Sequence, residues 1–390
     1  MDKKFVMGIA AMAALTLVSC SSDDLDSFSD NSSKNEAISF DGYLGRSAVA
    51  VNGTRGSEVK IGNLQTDGFG VFGNYSKDAT TAYGNNLFDN QQVTYDNTKS
   101  KWTYTPLKFW PSDGHIDFLA YAPYDYAGTN TTLTGTSISF EVYNTVANQK
   151  DLLWTNATSQ DITKKKVNFQ FHHALSRLGY TVNLTGNYTS SNVTFTLNKI
   201  TLAGSADGTK NAFYKKGTID LSKTATNENK EDLSKTNTET GLWKADDTKQ
   251  NFDWFSAGAQ PVNITYVDPA DKTKKPVSNS PSDYLFVIPQ DFSKDKIKGQ
   301  QDPDELYVIV EYTINYTDGT TPSVKNTVYK QIKKKFLQGK AYMLNLTLGL
   351  PIEFDVDVTG GVNAGVDGWG ADDGINIGSG SNDNLWDGIK

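Results

Sequence analysis

Tyr342, Leu344, Leu346 and Leu348 occupy alternate positions of one unbroken stretch, and this spacing constrains the chain more than any other feature. Successive side chains of a strand point to opposite faces, so a period of two places all four on one side of a sheet. The rhythm recurs at Ile38, Phe40 and Leu44, at Val193 to Leu197, and at Asn263 to Val267. Leu306 to Tyr316 and Val324 to Ile332 flank Asp318-Gly319, the signature of a hairpin. Ile200 to Leu202 continue the Val193 strand after a break of phase, which predicts a bulge. No stretch keeps a helical period, so the expectation is an all-β chain of sandwiches.

Length and punctuation divide it. Lys3 and Lys4 precede an apolar run from Phe5 to Val18, too short for the roughly 20 residues that span a bilayer and suited to a secretory signal. The run ends at Leu17-Val18-Ser19-Cys20, and Cys20 is the single cysteine of 390 residues. An apolar stretch, a serine and a cysteine form the lipobox of a bacterial lipoprotein. Residues 1–19 therefore read as signal peptide and Cys20 as the acylated first residue of the mature chain, with no cysteine to pair with it. Residues 20–35, rich in Ser and Asp, lack the apolar residues for a core and read as a flexible acidic tether. Two tandem β-sandwich domains are expected over residues 36–175 and 176–350, then a Gly- and Asn-rich tail over 351–390. Residues 222–250 and 268–283 read as polar loops.

Chemistry is sparse. A net charge of −8 argues against nucleic acid as a partner. Gly68-Phe69-Gly70-Val71-Phe72-Gly73 spells a dinucleotide fingerprint, but Asn74-Tyr75-Ser76 follows where a helix must open, so a glycine-rich strand is expected. The three histidines are His115, His172 and His173, and adjacent residues of a strand cannot readily share one metal. Asp355-Val356-Asp357-Val358-Thr359-Gly360 starts like a calcium loop, but Val366 stands at its twelfth position and no helices flank it; a polar strand face is preferred. Neither a nucleophile–base spacing nor a phosphate loop is readable. No enzyme, cofactor or metal is expected.

An ordered set of short motifs carries a resemblance. The lipobox is followed by Ile38-Ser39-Phe40, Thr54-Arg55, Phe69-Gly70-Val71-Phe72, Trp110-Pro111 and Phe118-Leu119-Ala120-Tyr121-Ala122-Pro123. Asp151-Leu152-Leu153 and Phe169-Gln170-Phe171-His172-His173-Ala174-Leu175 come next, then Ile288-Pro289-Gln290 and Gly339-Lys340-Ala341-Tyr342. In this order they resemble the fimbrillin family, the FimA- and Mfa-like subunits of type V pili of Bacteroidota. Ser21-Ser22-Asp23-Asp24-Leu25-Asp26 likewise resembles the acidic signal that sends such lipoproteins to the outer face of the outer membrane.

The resemblance implies transthyretin-like sandwiches and a lipid-anchored precursor of the outer membrane that ends in the fimbrium. It implies cleavage by an Arg-specific protease at Arg55, with Arg46 as the second choice. The first strand, with Ile38, Phe40 and Leu44, then leaves its groove, and a strand of another fimbrillin subunit takes its place. The tail alternates only weakly, at Ile375 and Ile377, which leaves its donor role and the choice among stalk, tip and accessory subunit open. The alternative is a monomeric surface adhesin or glycan-binding lipoprotein whose tyrosines and tryptophans stack on a host or bacterial surface ligand.

Overall fold

A computed structural model of the chain describes residues 36–44, 61–77, 83–84, 86–126, 131–223, 242–258, 261–279, 283–350 and 352–360. The signal peptide, Cys20, the tether, Arg46, Arg55 and the tail beyond Gly360 lie outside the described residues.

The first half supplies β1 (Ser39–Leu44), helix α1 (Ile61–Asp67), β2 (Phe69–Ser76), β3 (Phe88–Asp96) and β4 (Lys101–Thr103). It continues with β5 (His115–Ala122), β6 (Leu133–Thr134), β7 (Ser137–Glu141), β8 (Leu153–Gln160) and β9 (Lys166–His173). Seven of these strands form one sheet in the order β1-β9-β8-β5-β2-β3-β4. All its neighbours are antiparallel except β1 and β9, which run parallel. The sheet curls until its two ends approach: a Cβ built on Gly42 of β1 would lie 3.6 Å from the Trp102 ring of β4. Inside the curl sits an aromatic core of Phe40, Phe69, Phe88, Trp102, Tyr104, Phe118, Phe169 and Phe171.

Along β5 the side chains divide strictly by parity. Ile116, Phe118, Ala120 and Ala122 enter the aromatic core, while Leu119 and Tyr121 join a second core on the other face. A strand covered on both faces has no polar side, which explains its continuous apolar run.

The second half supplies β10 (Ser176–Leu184), β11 (Val193–Ala203), β12 (Phe213–Tyr214), β13 (Lys216–Asp220), β14 (Trp243–Ala245) and β15 (Lys249–Gln250). Next come β16 (Phe252–Ser256), β17 (Val262–Ile264), β18 (Val277–Ser278), β19 (Leu285–Val287) and β20 (Gln290–Asp291). The last are β21 (Tyr307–Tyr316), β22 (Val324–Gln331), β23 (Lys335–Phe336), β24 (Ala341–Gly349) and β25 (Glu353–Gly360). Two sheets, β18-β10-β24-β25 and β16-β11-β21-β22, enclose the second core; β19 pairs with β10 and β17 with β11. Leu344, Leu346 and Leu348 of β24 face Phe195 and Leu197 of β11 and Val310 and Tyr312 of β21 within it. The chain is thus all-β apart from α1 and short 3-10 turns among the described residues.

Several sequence expectations change. No helix was expected, yet α1 precedes β2, and its Leu64 is buried in the aromatic core. The polar stretch 222–250 ends in β14 and β15, and Leu242 and Trp243 are buried there. Trp243 is the reason: its indole N–H donates to the Ala174 carbonyl at 2.8 Å, so one aromatic residue draws a hydrophilic segment onto the β9–β10 crossover. Residues 268–283 are interrupted by β18, while the expected strand 263–267 shortens to β17. The tail expected from 351 begins later, because β25 pairs with β24 along its whole length. Across residue 175, β7 pairs with β13, so one sheet, β14-β13-β7-β6, draws strands from both expected domains.

The expected bulge is present. β11 slips register between Leu197 and Lys199 against β21, and between Ile200 and Thr201 against β16. The hairpin at Asp318-Gly319 joins β21 to β22, with Gly319 at φ 73°, where a side chain would be strained.

Candidate functional site: the slot of the first strand

β1 sits between two other segments. On one side Ser39 to Leu44 pair in parallel with Lys166 to Phe171. On the other, the Ile38 amide donates to the Lys108 carbonyl and the Trp110 amide to the Glu36 carbonyl, both at 2.9 Å. Ala37 and Phe109 form an antiparallel bridge. The Tyr104 hydroxyl donates to the Ile38 carbonyl at 2.7 Å. Burial raises the Tyr104 pKa above the ordinary phenol value, with the main-chain contact to Lys108 opposing the shift, so it stays a donor. Hydrogen bonds thus hold the start of the strand on both flanks, and its later residues on the β9 flank.

Inside the slot, alternate residues do different work. Ile38 and Phe40 are buried to 1% and 3% exposure. The Phe40 ring is surrounded by Phe69, Phe88, Tyr104, Phe118 and Phe169, with centroids 5.4 to 6.5 Å away. Burial of each of these two side chains contributes about 1.5–3 kcal/mol. Two residues on, Gly42 carries nothing: a Cβ there would lie 3.2 Å from Phe69 Cε1 and 3.4 Å from Phe171 Cε2. The slot therefore accepts an aliphatic side chain, then a ring, then no side chain. Its outer face is polar, with Asp41 Oδ2 3.6 Å from Lys166 Nζ and the Ser39 hydroxyl donating to the Lys165 carbonyl.

Lys166 begins β9, whose edge is covered by β1. Of the expected site residues, Ile38 and Phe40 are brought together in the aromatic core. The Leu44 backbone is in β1, and its side chain lies outside the described residues, as do Arg46 and Arg55 in the segment 45–60 that joins β1 to α1. Sequence reasoning missed Gly42 and Tyr104. The signal for Gly42 was present, since a glycine at an inward position of an alternating strand marks a close approach.

Among the described residues, the three histidines and Asp355 make separate contacts. His173 Nδ1 is 2.6 Å from Asp151 Oδ2, both buried, at the end of β9. His172 sits beside the Trp154 ring, and His115 is 3.8 Å from Asp117. Asp355 is met by Lys330 Nζ at 2.5 Å, on a regular strand rather than a cation-wrapping loop. No group of three or more His, Cys, Asp or Glu side chains is placed to hold a metal among the described residues.

Comparison with known proteins gives the slot its context. The fimbrillin-like family model matches residues 54–369, a span that starts after β1. Fimbrium subunit Fim1C of Phocaeicola vulgatus is 32% identical over an alignment of 196 residues that covers 44% of this chain and 49% of the relative. The chain thus spans about half the length of that relative. A fimbrial protein from Bacteroides vulgatus, known from its crystal structure, covers 84% of this chain and is itself covered to 99%, at 19% identity and a TM-score of 0.57. That likeness shows a shared fold. With the family model matched across most of its length, the chain belongs to the fimbrillin-like family.

Proposed function

We propose that this chain is a structural, non-catalytic subunit of a type V pilus that serves adhesion. Its precursor is exported as a lipoprotein acylated on Cys20 and held at the surface of the outer membrane. An Arg-specific protease cuts after Arg55, or after Arg46, in the segment between β1 and α1. β1 then leaves, and a strand from another fimbrillin subunit fills the slot. Residues 36–175 and 176–350 act as two sandwich units of that subunit, joined through the β7–β13 pairing.

The observation that carries this reading is the seating of β1. Its inward residues complete an aromatic core, and the strand lies between β9 on one side and residues 108–110 on the other. Removal of a strand so placed exposes an apolar trough and a row of unpaired main-chain groups, and a replacement strand satisfies both. Membership of the fimbrillin-like family and likeness to a named fimbrium subunit support the same role.

Mass spectrometry of the mature amino terminus from surface polymer tests the reading. A start at Gly56 or Ser47 is expected in polymer and an acylated Cys20 in precursor. Double replacement of Arg46 and Arg55 by Ala should leave unpolymerised, membrane-held chain; normal high-mass ladders from that variant would refute the proposal.

A further inference from the structure

Among the described residues six large apolar side chains are exposed, and two of them share one short segment beside β1. Leu107 and Phe109 are 54% and 49% exposed, and Pro106 next to them is exposed as well. Trp110 turns into the aromatic core, so Phe109 before it turns out. Ala37 bridges Phe109 in antiparallel register, and Ile38 after it enters the same core, so Ala37 and Phe109 leave the sheet on one side. Further along that side of β1 come Ser39 and Asp41 with their polar contacts. The outer face is thus apolar only where the chain enters β1, and polar beyond. Apolar residues scattered singly need no partner, but neighbours grouped on one face form a contact surface.

We propose that Ala37, Pro106, Leu107 and Phe109 rest in the lipid surface of the membrane that holds the precursor. This rests on the proposed acylation of Cys20 and adds to it a second, non-covalent point of contact. Lipid is the occupant because of where the anchored chain arrives. Residue 36 adjoins the patch, its carbonyl accepting from the Trp110 amide, and sixteen positions separate it from Cys20. Such a span reaches at most about 55 Å when fully extended, and any slack brings the patch nearer the bilayer. Acyl chains accept Leu and Phe side chains but offer main-chain groups no hydrogen bonds. The Ile38 and Trp110 amides already donate to the Lys108 and Glu36 carbonyls, so this cross-link is satisfied before the face meets lipid. A single acyl chain binds a bilayer only marginally, and an adjoining apolar face strengthens the hold. The contact belongs to the precursor: departure of β1 takes away Ala37 and both main-chain bonds that fix residues 108–110.

Depth-dependent quenching in the acylated, full-length precursor tests the assignment. Acylation uses up the Cys20 thiol, so a cysteine introduced elsewhere takes a fluorescent label alone. Leu107→Cys and Phe109→Cys put the label on the patch, while Ile297→Cys and Val324→Cys put it on apolar residues of comparable exposure elsewhere. In phosphatidylethanolamine–phosphatidylglycerol vesicles with brominated acyl chains, quenching at 107 and 109 should exceed that at 297 and 324 at least about threefold. Phe109→Asp, or the milder Phe109→Ser, should lower quenching at 107 to the level of the controls; the side chain is half exposed, so neither change disturbs the core. Acylated, vesicle-bound chain with equal quenching at all four positions overturns this inference and spares the proposed function. A 109–109 disulfide between unlabelled Phe109→Cys copies, with no excess quenching at 107, assigns the face to a second copy and likewise overturns it. Chain that carries no acyl group on Cys20 and stays free of vesicles overturns both.

Discussion

The ring of Phe40 lies stacked on that of Phe169, with 5.6 Å between centroids and 10° between planes, across the parallel step from β1 to β9. Four further rings meet Phe40 edge-on or tilted, so one side chain from the first described strand is enclosed by rings from β2, β3, β5, β9 and the residue after β4. Phe40→Ala should therefore lower the stability of the amino-terminal sheet by about 3–5 kcal/mol, the cost of losing a fully buried ring and leaving a cavity. Hydrogen exchange resolved by residue checks it. Amides of β9 facing β1 should lose protection first, while those of β21 and β24 should be largely unaffected.

Gly42→Val tests the narrow part of the slot. The added atoms would press on Phe69 and Phe171, neither of which has free space, at an expected cost of about 1–3 kcal/mol. Gly135 provides the control, because nothing lies within 4 Å of a Cβ there; its positive φ makes Asn the appropriate replacement. Urea unfolding of the two variants should separate them by more than 1 kcal/mol, to be read with the ordinary uncertainty of such fits.

Tyr104→Phe removes the donor to the Ile38 carbonyl and should cost about 1 kcal/mol. The pH dependence follows from the raised phenol pKa. A group whose folded pKa is raised keeps its full contribution below its unfolded pKa, near 10 for tyrosine, and loses it as pH climbs through the folded value. The stability advantage of the natural chain over Tyr104→Phe should thus be constant below pH ~10 and shrink above it. Thermal melts at pH 7, 9 and 11 measure this directly; an advantage that grows with alkalinity would contradict the assignment.

Trp243→Phe keeps most of the buried ring and removes the indole donor to Ala174. The carbonyl left behind is buried, so the expected loss is about 1–3 kcal/mol. The effect should extend to the β9–β10 crossover, where the Gly339 amide also donates to Leu175 and the Ser176 hydroxyl to Leu337. Hydrogen exchange at the Gly339 amide should be faster in the variant than in the natural chain.

What could be read from sequence was whatever depends on near neighbours. Alternation located β21, β22 and β24, the Asp-Gly pair located their turn, and a phase break in Val193 to Leu202 located the slips of β11. Ile38 and Phe40 were legible for the same reason. The parallel pairing of β1 with β9 was not, because Ser39 and Lys166 are 127 positions apart and neither segment carries a local mark of direction. Nor was the sharing of β5 between two cores, since a run buried on both faces has no period to read. Trp243 was hidden by its surroundings: composition averaged over a hydrophilic stretch says nothing of one indole that finds a carbonyl.

The parallel setting of β1 has a mechanical consequence. Tension delivered through residue 36 along the strand axis strains its six paired positions together, in shear, instead of peeling them open one at a time. Phe40, wedged among its rings, must be dragged past them at the same moment. A tether fastened at that end would grip hard against sudden pulling and still let the strand go once the chain behind it is severed.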